Sequence, residues 1–570
     1  MLKLVRYLKH FKKEVIIGPF FKLLEAVFEL IVPLVMASII DIGIKNRDST
    51  YVLQRGGIIL LLGLMGLIFA IICQYNAAKA SQGFGTMVRN DLYKHINSLS
   101  HTELDLFGTN TLITILTNDI NQMQLAVAML IRLVVRVPFL IIGAIVMSMI
   151  LDLKLSIIFL IVAPLVSLVL LIIMKLSVPY YRIRQRMLDK VSLVTRENLS
   201  GARVVRAFSK QDHENKRFNE ANNQVADIAI NVGKISAFLN PATFAILNTA
   251  ILAILWFGGS RVNVGSLTQG EVIAFANYMT QISLALVVFA NLVVIFTKAA
   301  ASAARINKVF DTVSSLSEKE IEPSPNNNSP LISLNNVYFT YPGLGEYALE
   351  DISFDIEEGE VIGIIGGTGS GKSTLINLLP RFYDVDKGEI RVKGQALQNY
   401  SFRELRDLFG IVPQKAVLFS GSIRENLRYS KEDATDEEIN RSIDIAQARD
   451  FVDKLPLGFD TEINQAGRNL SGGQRQRLTI ARALVRQPKI LILDDSSSAL
   501  DYATDSRLRE ALQKNCKNTT VIMVSQRANT IKGANKIIVL DDGKIVGMGK
   551  HQELYKSCNI YREIYDSQLS

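Results

Sequence analysis

Cysteine is scarce: 570 residues hold three, Cys73, Cys516 and Cys558, far apart and without a CxxC pair. That excludes a disulfide framework and a cysteine zinc site, and predicts free thiols in a reducing compartment. Also missing is any basic stripe interleaved with aromatics, so the formal charge of +9 does not point to nucleic acid. A membrane protein that keeps Lys and Arg on its cytoplasmic side reaches the same balance. Long apolar runs are absent after about residue 300, where apolar segments shrink to strand length.

Before that point they abound. A helix needs about 20 apolar residues to cross a ~30 Å hydrocarbon layer. Six spans qualify, about 15–40, 56–76, 128–151, 155–175, 238–258 and 271–297. Ahead of them "MLKLVRYLKHFKKEV" sets Leu2, Leu4, Val5, Leu8 and Phe11 near one helix face and lysines on the other, which predicts a retained interfacial helix. Between spans four and five lie Arg182, Arg184, Arg186, Lys190, Arg196, Arg203, Arg206 and Lys210, whereas spans three and four are joined by little more than "LDLK". The positive-inside rule therefore puts the N-terminus and the two long connections, about 77–127 and 176–237, in the cytoplasm. Those connections carry apolar residues at three- and four-residue spacing and few Gly or Pro. They read as helices that leave the membrane and reverse near "FGTNTLITILTNDI" and "ENLSGARVVRAF".

Residues 1–310 thus form an all-α membrane domain, 311–330 a linker rich in Ser, Glu, Pro and Asn, and 331–570 an α/β nucleotide-binding domain. Asn327 fits a glycosylation sequon, which a cytoplasmic linker leaves without meaning. In the α/β part the strand-like "EVIGIIG" leads through "GGTGSGKST" into the helical "LINLLP". This is G-x-x-x-x-G-K-[ST] in its strand, loop, helix setting. Gly366, Gly367, Thr368, Gly369, Ser370, Gly371, Lys372, Ser373 and Thr374 form the loop. Its backbone amides and the helix N-terminus cradle phosphates, Lys372 reaches the β and γ phosphates, and Ser373 can ligate Mg²⁺. Downstream, "ILILDDSSSALD" reads as a buried strand whose first carboxylate, Asp494, meets that metal, while Asp495 projects to the γ-phosphate edge.

With "LSGGQ" at Leu470 to Gln474, "IVPQ" ending in Gln414, "SALD" ending in Asp501, "FTYPG" with Tyr341, and "LFSGSIRENL", the whole chain resembles a half-transporter of the ABC exporter family. The resemblance implies ATP and Mg²⁺ as ligands, with Tyr341 stacking on adenine and Ser373, Gln414 and Asp494 at the metal. Asp501 would contact an opposite subunit. It also implies that Ser471, Gly472, Gly473 and Gln474 close over a nucleotide held by a second subunit. The regions near Asn118 and Asp119 and from Asn198 to Arg206 match the family's coupling helices.

Two departures fall at one place. Hydrolysing members carry glutamate after the Walker-B aspartate, where this chain has Asp495, and a switch histidine where it has Gln526. A carboxylate withdrawn by one C–C bond, roughly 1.5 Å, is a poor base, since a misplacement of about 1 Å costs on the order of 10²-fold. Glutamine donates a hydrogen bond but carries no charge. "INQAG" (463–467) also replaces the family's glutamate-containing segment before the signature. The pattern resembles the degenerate-site subunit of heterodimeric bacterial multidrug exporters. That implies a partner half-transporter carrying the glutamate and histidine, a plasma-membrane location among lipid, and a small hydrophobic or amphipathic substrate. The rival readings are a homodimeric lipid flippase or peptide exporter, and a non-hydrolysing regulatory subunit. In spans five and six, Asn248, Asn277, Gln281 and Asn291, with Phe244 and Phe275, suit either a substrate cavity or interhelical hydrogen bonds. Arg132 and Arg136 are expected in the cytoplasmic extension or snorkelling to headgroups.

Overall fold

The computed structural model describes residues 2–318, 329–343 and 345–568; Asn327 and the middle of the linker lie outside them. The chain divides into two compact units, Met1–Asn97 with Asn110–Thr312, and Ser98–Thr109 with Val313–Ser570.

The first unit is helical. Lys3–Ile44, Ser49–Ser98, Thr109–Leu151, Leu153–Ser200, Gln211–Asn263 and Gln269–Asp311 are each long and apolar enough to cross a membrane. Leu153–Ser200 has 48 residues, about 72 Å at 1.5 Å per residue and more than twice the hydrocarbon thickness. The long connections of the sequence are therefore continuations of the spans. Local chemistry sets the ends: the Asp152 carboxylate accepts from Leu155 N at 2.8 Å, and Thr268 with Glu271 forms a capping box. Phe159, Phe275, Tyr278 and Met279 fill the core with no exposure, and Tyr278 Oη donates to Leu30 O at 2.7 Å.

Three sequence readings are sharpened here. Phe275 packs against Phe159 with ring centroids 5.8 Å apart, so it is core and lines no cavity. Gln281 Nε2 donates to Glu29 O at 3.2 Å, an interhelical bond, whereas Asn248, Asn277, Asn291 and Phe244 are exposed on the unit's surface. Arg136 is paired across helices. It stands 16 residues from the helix end at Asp152, about 24 Å and within a ~30 Å layer, and pairs with Glu29 at 2.7 Å. Nearby Lys22 pairs with Glu25 at 2.6 Å, and Asp152 pairs with Arg261. These charges find opposite ones because an unpaired charge at membrane depth is costly.

The N-terminal segment is helical over Leu2–Val5 and Arg6–Phe11. Leu4 and Tyr7 form its buried face while Val5 is exposed, and Tyr7 Oη donates to Asp91 at 2.9 Å. The segment docks on helix Ser49–Ser98 through this contact.

The first reversal also sits earlier than the sequence suggests. It spans Leu99–Gly108, with a short helix His101–Phe107 capped by Ser100 and Glu103 and closed by Gly108 at φ +73°. Asn118 and Asp119 lie inside a helix. Asp119 is buried and accepts from Ser302 Oγ (2.9 Å) and from Arg305 Nε (2.7 Å) and Nη2 (2.5 Å). Asn and Asp read as turn formers, but a buried carboxylate with two donors on a neighbouring helix is stable mid-helix. The second reversal falls where expected, at the short helix Ala202–Ala207.

In the second unit, residues of the first reversal pack with the α/β part: Tyr383 Oη donates to Asp105 at 2.8 Å, Ser315 N to Glu103 at 3.1 Å, and His101 lies 4.6 Å from Phe382. The main sheet runs Lys544–Gly549, Lys536–Asp541, Val361–Gly366, Thr520–Val524, Ile490–Asp494, Phe409–Val412. All its pairings are parallel except the first. The central strands are buried almost throughout, as β-branched runs covered on both faces must be. A smaller antiparallel sheet holds Leu349–Ile356, Ile332–Phe339 and Lys387–Val392.

Asp119 lies 33 residues from Asp152, about 50 Å along the helix and beyond the hydrocarbon. Arg305→Met is expected to cost about 2–3 kcal/mol, less than a fully buried pair because 52% of the Arg305 side chain is exposed. Thermal unfolding of the purified chain checks this, and adding Asp119→Asn should restore part of the loss.

Candidate nucleotide site

Parallel pairing sets Val524 opposite both Ile364 and Asp494, and Val412 opposite Leu493. The loops that leave these strands therefore start from one sheet edge, where ligands of open α/β sheets bind. They enclose a cleft of about 250 Å³ lined by Thr368, Gly369, Gly371, Lys372, Ser373, Thr374, Gln414, Asp494, Asp495, Val524 and Gln526.

The phosphate loop is preformed. Gly369 and Gly371 have φ of +85° and +93°, which turns successive amides inward. Space is as restrictive as conformation at Gly371, where a Cβ would meet Leu349 Cδ2 at 2.8 Å and Ala348 O at 2.9 Å. Lys372 is buried and donates to the carbonyls of Gly366 (3.0 Å) and Gly367 (2.5 Å) and to Ser370 Oγ (3.2 Å). Burial lowers its pKa, opposed by Asp495 and Asp494. Burial raises the Asp494 carboxyl, opposed by the hydrogen bond from Ser373. An anion beside Lys372 and a cation beside Asp494 would each reverse the penalty.

That pairing fits magnesium. Ser373 Oγ lies 3.2 Å from Asp494 Oδ2, and adjacent ligands of an octahedral Mg²⁺ at about 2.1 Å are roughly 3.0 Å apart. Among the described residues no three His, Cys, Asp or Glu side chains cluster into a metal cage. One carboxylate, one hydroxyl and exposed Gln414, with phosphates and water completing the shell, is how Mg²⁺ is commonly held.

Asp495 is buried, with φ +45°. Its N–H donates to Val524 O at 2.9 Å, and its carbonyl accepts from Ser498 N (3.2 Å) and Ser498 Oγ (2.8 Å). The main chain is thus pinned on both sides of the carboxylate. Gln526 follows the adjacent strand Thr520–Val524 and faces the same cleft.

Other expected residues stand apart from it. Tyr341 donates its hydroxyl to Thr374 Oγ1 at 3.2 Å and packs on Phe339 and Tyr383, beside the loop and outside the lining. Ser471 caps the helix Gly472–Val485 and exchanges bonds with Gln474, Ser471 N to Gln474 Oε1 at 2.8 Å and Gln474 N to Ser471 Oγ at 3.3 Å. Ser471 and Gly472 are exposed, and none of the signature residues lines the chain's own cleft. Asp501 caps the helix Tyr502–Asn515 through Thr504 N at 2.9 Å. Sequence reading missed Gln568, which bonds to the backbone of the Gln526 loop; no motif or spacing marks it.

Comparison with known proteins agrees along the whole chain. Residues 15–286 match the family described as ABC transporter transmembrane region, and residues 349–498 the family described as ABC transporter. The ABC transporter ATP-binding protein YfiB of Bacillus subtilis is 37% identical over 569 residues, covering 100% of this chain and 99% of that protein. An ATP-dependent lipid A-core flippase of Desulfotalea psychrophila is 32% identical over 506 residues, 89% of this chain and 87% of that protein. A solved bacterial Atm1-family ABC exporter with ATP bound shares the fold, with a TM-score of 0.82 at 24% identity, over 98% of this chain and 99% of that one.

Gly371→Ala combines a left-handed backbone with a blocked Cβ, a strain of about 1–3 kcal/mol. ATP affinity is expected to fall by at least about fivefold, read by titration with a fluorescent ATP analogue, and the melting temperature of the domain to fall with it.

Proposed function

The chain belongs to the ABC transporters as a half-transporter, a multi-pass membrane region fused to an ATP-binding domain, and from that premise we propose that it exports hydrophobic or amphipathic compounds as one half of a heterodimer. In this reading its own cleft binds MgATP and hydrolyses it poorly, and its LSGGQ segment completes the partner's active site. The N-terminus and ATPase domain face the cytoplasm of a bacterial cell, in line with the basic loops.

The carrying observation is the pair Asp495 and Gln526 at one cleft. The hydrogen bonds on both sides of Asp495 prevent its backbone from advancing to replace the methylene that glutamate would supply. The base therefore stays roughly 1.5 Å short of a water at the γ-phosphate. Gln526 can donate to that phosphate but cannot carry charge. An exposed signature that leaves its own cleft open supports completion in trans. In the membrane half, Arg136 and Lys22 are each paired with a glutamate, Glu29 and Glu25, so neither charge needs an anionic substrate to balance it.

A homodimeric lipid flippase is the second reading, favoured by the lipid A-core flippase among the relatives. The two differ in the lone chain: a homodimer hydrolyses ATP at normal rates by itself, while the heterodimer subunit does not.

Affinity purification from the native membrane, followed by mass spectrometry, is expected to recover a second half-transporter with glutamate and histidine at the matching positions. Recovery of this chain alone, with full ATPase activity, would falsify the pairing. Within the complex, where the partner's competent site already turns over, Asp495→Glu with Gln526→His should raise steady-state ATPase by up to about twofold as a second site becomes competent. Vesicles holding the complex should move a lipophilic dye only with ATP.

A further inference from the structure

The loop that carries Gln526 is held from an unexpected direction. After the strand Thr520–Val524 ends, Ser525 N still bonds to Ile364 O at 3.1 Å, and the next groups leave the sheet. The Gln526 carbonyl accepts from Gln568 Nε2 at 2.7 Å, and Ala528 N donates to Gln568 Oε1 at 2.8 Å. Among the described residues nothing else takes either group. One amide side chain thus spans the loop as a facing strand would, fixing the backbone on both sides of Arg527.

Gln568 is itself anchored independently of that loop's tip. It follows the helix Asn559–Asp566, in which Tyr561 is fully buried with its hydroxyl 2.8 Å from His551 Nδ1. Tyr565 Oη accepts from Lys532 Nζ at 2.9 Å. Beneath the same helix turn, Ile531 packs so closely on the phosphate-loop strand that a Cβ at Gly363 would meet its Cβ at 2.7 Å. The C-terminal segment is therefore seated on the core, and the loop is what the amide holds in place.

We infer that Gln568 is a positioning residue: it sets Gln526 for contact with the terminal phosphate, and so lets the C-terminal segment govern how well the cleft tells ATP from ADP. This rests on the reading that Gln526 meets the γ-phosphate. A primary amide matches the task, since it offers a donor and an acceptor on one plane to a carbonyl and an amide of the same loop. Glutamate keeps the acceptor for Ala528 N and turns the donor into a repelling oxygen.

The discriminating quantity is the ratio of MgATP to MgADP affinity, because ADP lacks the phosphate that Gln526 faces. In the purified full chain, titrated by competition with a fluorescent nucleotide, Gln568→Ala and Gln568→Glu should each lower that ratio about three- to tenfold, the scale of one hydrogen bond, with ADP affinity unchanged. Gln526→Ala should lower it at least as far, and adding Gln568→Ala to it should lower it no further. Equal weakening of both nucleotides would mean that Gln568 supports the fold only, and would overturn the inference. So would a ratio that falls in Gln526→Ala and stays put in both Gln568 variants. A ratio unmoved even in Gln526→Ala would sink the γ-phosphate reading itself, and this inference with it.

Discussion

Everything at the nucleotide cleft depends on the register of four parallel strands. Thr520–Val524 lies between Val361–Gly366 and Ile490–Asp494, and its last residue sits opposite both Ile364 and Asp494. A slip by one residue would turn every side chain of that strand to the other face and separate the loops. Because all four are β-branched or leucine-rich runs buried on both faces, no slipped pairing keeps the interior as dry. The apolar core thereby decides where the polar groups stand. Lys372, Asp494, Asp495 and Gln526 meet without bonding to one another, each delivered by a strand that could end nowhere else.

Burial then gives the cleft its appetite. Lys372 has its charge penalised by desolvation, as has Asp494, and neither is fully compensated by the other. The loop carbonyls that hold Lys372 are substitutes for phosphate oxygens. A polyanion with its cation relieves both penalties together, so binding is driven by what the folded domain leaves unfinished.

Much of this was legible in the sequence, for reasons that differ between the two halves. Phosphate loop, Walker-B strand and Gln526 were readable because each is local: a strand, a turn with glycines, a helix. The six spans were readable because hydropathy counts residues and needs no partner. What stayed hidden depends on a second element far along the chain. Asp119 looked like a turn former because Ser302 and Arg305, its donors, lie more than 180 residues away. Arg136 looked free because nothing in its own helix announces Glu29. Phe275 resembled a cavity aromatic until Phe159 was seen against it. At the first reversal Gly108 and the Ser100 cap carried the signal, and the showier Asn118–Asp119 pair masked it.

The pinned backbone at Asp495 has a consequence of another kind. On the proposed reading the side chain's reach is too short and a change of residue would restore it, a change that is small at the level of the gene. Aspartate and glutamate codons differ only in the third base, as do those of glutamine and histidine. Mutational distance therefore offers no barrier between this cleft and one with glutamate and histidine at those positions. The chain stands two single-base steps from that state, at two positions whose side chains face the same 250 Å³ of space.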